Sequence, residues 1–141
     1  MIFFGEAQHT LDEKGRIRIP SIYKKDLGVN PYFTYGDGCI LVYTNERANK
    51  FKEEMNLIFN DDAEFYDEEK SEKYSDLMKG QFCQEDSQGR ILLPPALVED
   101  AGLTKNLVMT TGGNHLQIWD EDKLKEKRAA KRLAKLEIKK I

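Results

Sequence analysis

The sequence predicts an α+β fold, mainly β, built as two ββαββ units in tandem with additional helices beside them. Three observations lead there. First, LDEKGRIRIP, beginning at Leu11, returns as EDSQGRILLP, beginning at Glu85: Asp12, Gly15, Arg16, Ile17, Ile19 and Pro20 are matched by Asp86, Gly89, Arg90, Ile91, Leu93 and Pro94, displaced by 74 positions. Second, Gly28 returns as Gly102 at that displacement, and Gly36, Ile40, Val42 and Tyr43 match Gly112, Leu116, Ile118 and Trp119 at 76, so two residues enter the loop between. Third, the matched stretches alternate with the period of a strand, whereas the segments between and after them carry apolar residues at helical spacing.

The elements follow in order. Residues 7–11 read as a strand, and Asp12-Glu13-Lys14-Gly15 supplies the residue types of a type I turn closed by a left-handed glycine, the tip of a hairpin. Arg16-Ile17-Arg18-Ile19 alternates basic and apolar residues, so Ile17 and Ile19 face inward and Arg16 and Arg18 outward. Pro20 suits a helix start, Ile22, Tyr23 and Leu27 share a helical face, and Gly28 fits the residue just past the end. A second hairpin runs through residues 32–35, the turn Gly36-Asp37-Gly38, and residues 39–43. The later unit repeats this order through residues 90–93, a helix over 95–101, and strands over 107–111 and 115–119.

Between the units, Ala48, Phe51, Met55 and Ile58 form one apolar stripe capped by Thr44 or Asn45, and a second helix carries Tyr66, Tyr74, Leu77 and Met78. A last helix begins after Trp119 with Asp120 as its cap and Leu124, Leu133 and Leu136 as a thin apolar seam. The pattern sets out one pseudo-twofold domain over residues 1–141: a first repeat over 5–47, linker helices over 48–78, a second repeat over 79–122 and a basic C-terminal helix over 123–141. A ββαββ unit alone has too few apolar side chains to close a core, and duplication within one chain supplies its partner.

Composition narrows the function. At 141 residues, 33% charged and 40% hydrophobic, the chain has the balance of an ordinary soluble domain. No apolar run reaches the roughly 20 residues of a membrane span, and MIFFGEAQH has neither the basic start nor the apolar stretch of a secretory signal, so a cytoplasmic location without membrane association is expected. The formal charge of −3 argues against a polyanionic partner, but charge is segregated. Residues 61–76 hold eight acids against two lysines, and residues 127–141 hold seven bases against Glu137; solvated helix surface accounts for both runs. Cys39, Cys83, His9 and His115 have no zinc-site spacing, so no metal or cofactor is expected, and the cysteines read as packed thiols.

GEAQHTLDEKGRIRIP, GDGCILVY, QGRILLPPALVEDAGL and HLQIWD together resemble the MraZ family, whose domains are similar to those of AbrB-like regulators and related antitoxins. The resemblance covers nearly the whole chain. It implies an intrachain swapped-hairpin barrel and a ring-shaped homo-oligomer, an octamer. It also implies sequence-specific binding, in the bacterial nucleoid, to double-stranded promoter DNA with short direct repeats upstream of the division and cell-wall gene cluster.

The family's D-x-x-x-R motif falls on Asp12 with Arg16 and on Asp86 with Arg90. A guanidinium can grip a phosphate or make two hydrogen bonds to guanine O6 and N7, so Arg16 is the leading candidate for a base-edge or close phosphate contact. Lys14 and Arg18 would add backbone attraction, with Lys24 and Lys25 as weaker candidates. Asp12 and Asp86, with Gly15 and Gly89, would hold the turns and position the arginines. The second tip has Gln88 and Leu92 where the first has Lys14 and Arg18, and Glu85 where the first has Leu11. Either Gln88 and Arg90 make a weaker contact, or this turn serves architecture. On local sequence alone, an arginine after a glycine turn is more often a solvated strand residue or the partner of a nearby acid than a DNA contact, and the basic-apolar alternation brings Arg16 to even standing.

Trp119 and Tyr43 read as core anchors, and both histidines as structural or surface residues. An antitoxin-like, protein-binding module without DNA readout is the alternative function. Enzymatic chemistry is not expected, because no Ser-His-Asp or Cys-His pattern and no phosphate-cradling loop is present; the glycine pairs at 36–38 and 112–113 are turn chemistry.

Overall fold

Strand pairing departs from the simplest hairpin expectation, and the departure organises the molecule. The computed structural model describes residues 1–59 and 68–139. In chain order the strands are β1 (Ala7–Thr10), β2 (Arg16–Ile17), β3 (Tyr32–Gly36), β4 (Cys39–Tyr43), β5 (Gln81–Phe82), β6 (Ile91–Leu92), β7 (Asn106–Thr111) and β8 (Leu116–Asp120). The helices are α1 (Ser21–Leu27), α2 (Asn45–Ile58), α3 (Glu68–Met78), α4 (Pro95–Asp100) and α5 (Glu121–Lys139). Tyr66 and the start of the acidic run lie outside the described residues.

The second hairpin of each half forms as expected. β3 pairs with β4 so that Gly36 faces Cys39, leaving Asp37 and Gly38 at φ 47° and 93° as a two-residue turn whose twist suits the strands. β7 pairs likewise with β8.

The first hairpin does not form a ladder. Across the tip, the Asp12 N–H donates to the Arg16 carbonyl at 3.0 Å, after which the two strands part. β1 joins β7 of the other half, with Ala7 opposite Met109, and β5 joins β3, with Gln81 opposite Phe33. These registers are equivalents under the internal self-match. β2 pairs with β6, placing Ile17 directly opposite its own counterpart Ile91.

The result is a six-stranded antiparallel sheet, ordered β1-β7-β8-β4-β3-β5, and a separate two-stranded ribbon β2-β6. The expected barrel is therefore corrected to an open sheet: β1 and β5 are its edges, because the ribbon strands are too short to bridge them.

One face of the sheet supplies Phe33, Ile40, Val42, Leu107, Met109, Leu116 and Ile118 to the main core. Ile17, Ile19, Ile91 and Leu93 of the ribbon strands and the residues after them cover that face, together with Tyr23 and Leu27 of α1 and Leu97 and Val98 of α4. The inward assignment of Ile17 and Ile19 therefore stands. On the opposite face, Leu124 of α5 packs on Cys39, Val108 and Trp119. Ala48, Phe51 and Leu77 of α2 and α3 pack there on Tyr32 and Tyr43. Alternation along β4 explains the division: Ile40 and Val42 point one way, Cys39 and Tyr43 the other.

Capping follows the sequence closely. Thr44 Oγ1 accepts from the Arg47 N–H at 3.1 Å, and Asp120 accepts from the Lys123 N–H and also receives both the N–H and the hydroxyl of Thr104. Gly28, at φ 72°, closes α1 by donating to the Lys24 carbonyl. Both cysteines are free and buried, and burial pushes the Cys39 thiol up to about 12 and the Cys83 thiol to about 11. Both stay protonated at neutral pH.

The ribbon is short, and its stability comes from the isoleucines beneath it. Ile17 and Ile91 are each only 1% exposed. Replacing either by alanine is expected to cost about 2–5 kcal/mol in urea unfolding.

Candidate nucleic-acid interface

The two glycine turns are built alike. In the first, the Lys14 and Arg16 backbone N–H groups donate to Asp12 Oδ1 at 2.9 and 2.8 Å, and Arg16 Nε donates to Asp12 Oδ2 at 2.7 Å. The second repeats this: the Gln88 and Arg90 N–H groups donate to Asp86 Oδ1, each at 2.9 Å, and Arg90 Nε donates to Asp86 Oδ2 at 3.0 Å. The turn glycines donate back to the aspartate carbonyls at 3.0 and 3.1 Å. They lie at φ 82° and 75°, a left-handed conformation that glycine adopts without cost and other residues resist.

The backbone N–H of Arg16 leads in holding the Asp12 carboxyl below its usual range, followed by the Arg16 side chain and the Lys14 N–H. Asp86 is lowered in the same way, led by the Arg90 N–H. Each aspartate thus bonds both the turn backbone and Nε of the following arginine. Only Nε of each arginine is engaged, so among the described residues both terminal nitrogens of Arg16 and of Arg90 keep their donors available. The two side chains are 23% and 24% exposed.

The ribbon brings the turns together. Arg16, Arg18 and Arg90 line one shallow recess of about 320 Å³ with Asp12, Ile17, His9 and Thr10. Three guanidinium groups around one hollow, with one carboxylate among them, form a locally cationic surface on a chain of net charge −3.

Other candidates sit differently. Lys14 and Gln88 are exposed at the tips, outside the recess. Lys24 pairs with Glu85 at 3.4 Å, which moderates its charge, and Lys25 lies in the last turn of α1, one residue along from Lys24. Arg18 is exposed as the alternation requires, but it crosses to the second turn, where Nη1 donates to the Gln88 carbonyl and lies close to Gly89. Its counterpart Leu92 lies over Gly15 in turn. Each turn glycine is thus covered by the position two residues beyond the other turn's arginine, a cross-contact that no local pattern in the sequence could disclose. The Leu93 N–H donating to the Gly15 carbonyl at 3.0 Å completes the coupling.

His9 was also beyond local reading. Both ring nitrogens are shut off from solvent and have no hydrogen-bond partner among the described residues. Burial lowers its pKa to about 4, so the imidazole beside the arginines is neutral at pH 7. His115 lies against the Tyr43 ring and beside Asn114, a structural placement. Trp119 and Tyr43 are buried as anchors. Among the described residues no cluster of three or more His, Cys, Asp or Glu side chains is arranged to hold a metal, and no helix is long and apolar enough to cross a membrane.

Comparison with known proteins gives a consistent picture. The family model described as "MraZ protein, putative antitoxin-like" matches residues 2–75 and 77–134. The transcriptional regulator MraZ of Lachnoclostridium phytofermentans is 38% identical over 125 residues, covering 86% of this chain and 84% of its own length. That of Heliobacterium modesticaldum is 34% identical over 123 residues, covering 86% and 83%. That of Oenococcus oeni is 34% identical over 128 residues, covering 89% and 85%.

The neutral, unpartnered His9 sets a pH dependence. Its folded pKa lies below the ordinary 6.5, so the unfolded chain binds the extra proton first. Its contribution to stability is complete above about pH 6.5 and is lost as pH falls toward about 4. Urea unfolding of wild type and His9→Gln between these limits is expected to show the smaller pH dependence in the variant.

Proposed function

The chain belongs to the MraZ family, and from that premise we propose that it is a sequence-specific DNA-binding transcriptional regulator acting on the promoter of the division and cell-wall gene cluster. The observation that carries this reading is the matched pair of turns: in each, an aspartate takes Nε of an arginine and leaves the terminal nitrogens available beside a shared recess. That is the half of a guanidinium suited to guanine O6 and N7 or to two phosphate oxygens. Arg16 and Arg90 make the close contacts in this proposal. Lys14 and Gln88 reach out from the tips, and Arg18 ties the two turns while adding positive potential. Gly15 and Gly89, like Asp12 and Asp86, hold the geometry.

The exchanged pairing of β1 with β7 and β5 with β3 fits a swapped-hairpin origin of one pseudo-twofold domain, with residues 5–47 and 79–122 as its repeats. One recess per chain gives modest affinity. A ring of several chains, eight by family resemblance, would present repeated recesses to short direct repeats and gain by multivalency. This reconciles a net-acidic chain with a polyanionic partner in the nucleoid.

The test is binding to the DNA upstream of its own gene against a shuffled control, at two salt concentrations. Arg16→Ala should weaken the promoter complex by about 1–3 kcal/mol and affect the control less. Equal losses on both DNAs would make Arg16 a phosphate ligand without sequence readout. Lys14→Ala should flatten the slope of log K against log salt by about 0.9 for each phosphate that is no longer neutralised in the complex, with sequence preference retained. Absence of salt-sensitive binding to the promoter DNA by the wild-type chain would favour an antitoxin-like, protein-binding role.

A further inference from the structure

We propose that the recess between the two turns also seats the terminal phosphate of a small phosphorylated molecule, one per chain, and that this ligand competes with DNA for Arg16 and Arg90. The competition rests on the DNA reading above, whereas the seat itself does not.

The recess gathers more positive charge than the chain offsets there. Arg16, Arg18 and Arg90 line it against one carboxylate, that of Asp12. Asp86, which holds Arg90 by Nε, lines a different hollow together with Lys24 and Glu85. Three guanidinium groups less one carboxylate leave the recess a local charge of +2. Donors are plentiful as well. Arg16 and Arg90 each commit Nε alone, and Arg18 commits Nη1 to the Gln88 carbonyl, so every one of the three forks keeps a terminal nitrogen available among the described residues.

A duplex phosphodiester carries one charge and is tethered on both sides, so it can meet the rim of such a hollow but not fill it. A phosphate monoester carries about −1.5 to −2 and offers three acceptor oxygens at a free end. That charge matches the recess, and forked guanidinium groups suit those oxygens. At about 320 Å³ the hollow is at the lower end of the range for small-ligand pockets. A phosphate with the group next to it is the size of ligand it admits.

His9 supplies a second, independent observation. It lines the same recess, and neither ring nitrogen has a partner among the described residues. Orphaned polar atoms are costly, and an anion accepting from the imidazole N–H, once the ring turns toward it, would relieve that cost.

The internal repeat shows why there is one seat and not two. At the displacement of 74 that relates the halves, the counterpart of His9 is Cys83 and that of Arg18 is Leu92. Cys83 is buried, and Leu92 lies over Gly15. The corresponding place on the other side of the ribbon therefore lacks both the third guanidinium and the imidazole.

Calorimetric titration of the full chain with inorganic diphosphate, without divalent cations and against sodium sulfate at equal ionic strength, tests the seat. One diphosphate per chain is expected, held at least about tenfold tighter than sulfate. Diphosphate no tighter than sulfate would mean an adventitious ion only and would overturn the proposal. ADP should bind too, since its phosphate end is free; ADP that fails to bind would overturn the ligand class. Arg18→Leu, which copies Leu92, should weaken diphosphate about ten- to a hundredfold, and Arg18→Lys should recover part of the loss, because the charge returns without the fork. An Arg18→Leu chain with wild-type circular dichroism and undiminished diphosphate affinity would also overturn it, and the comparison with sulfate needs no variant. With promoter DNA, diphosphate at fixed ionic strength should raise the apparent Kd for DNA in step with occupancy of the seat. Saturating diphosphate that leaves DNA affinity unchanged would overturn the competition. A chain that binds diphosphate but no DNA would overturn the DNA reading and leave the seat standing.

Discussion

The pairing of β2 with β6 is the constraint on which the rest depends. Each of these strands is two residues long, and neither finds a partner in its own half. Placed against each other, they set Ile17 opposite Ile91, lower both side chains onto the sheet and close the main core from above. They also oblige the turns that precede them to lie side by side. The Leu93 to Gly15 hydrogen bond and the mutual covering of Gly15 by Leu92 and Gly89 by Arg18 follow from that register. A core requirement and a surface arrangement are thus met by one ladder.

Much of this was legible from residues alone, and what was not has a common cause. Turn geometry at Asp12-Gly15, caps at Thr44, Asp120 and Gly28, and the inward direction of Ile17 and Ile19 are decided within a few residues of chain. The partner of a strand is not. The halves share one alternating pattern, so β1 is as compatible with β7 as with β2, and only the closing of a joint core selects between them. The expected hairpin ladder and the closed barrel went wrong at that step. Arg18 shows the same limit: its outward direction was readable, but its bond to the second turn depends on a pairing across 70 residues of sequence.

The candidate site divides similarly. The Asp–Arg pairs were apparent because both members lie four residues apart around a glycine turn, where the carboxylate can reach the backbone N–H and the guanidinium together. That Arg16 and Arg90 line the same recess, with a desolvated His9 beside them, was not apparent. Charge counting over the whole chain conceals this hollow, since its net −3 averages a cationic surface with an acidic α3 exposed elsewhere. Local potential, not the sum, governs encounter with a polyanion.

The self-complementary register through Ile17 and Ile91 has a consequence for how such a protein can evolve. The two guanidinium groups are set at a fixed span, as on the jaws of a calliper, and no loop between them can be lengthened to suit a new target. On the proposed DNA-binding reading, drift in sequence preference would come from exchanging side chains at the tips, as Lys14 and Gln88 already differ, or from altering how chains in an assembly are spaced. The measuring device itself stays constant while its markings change.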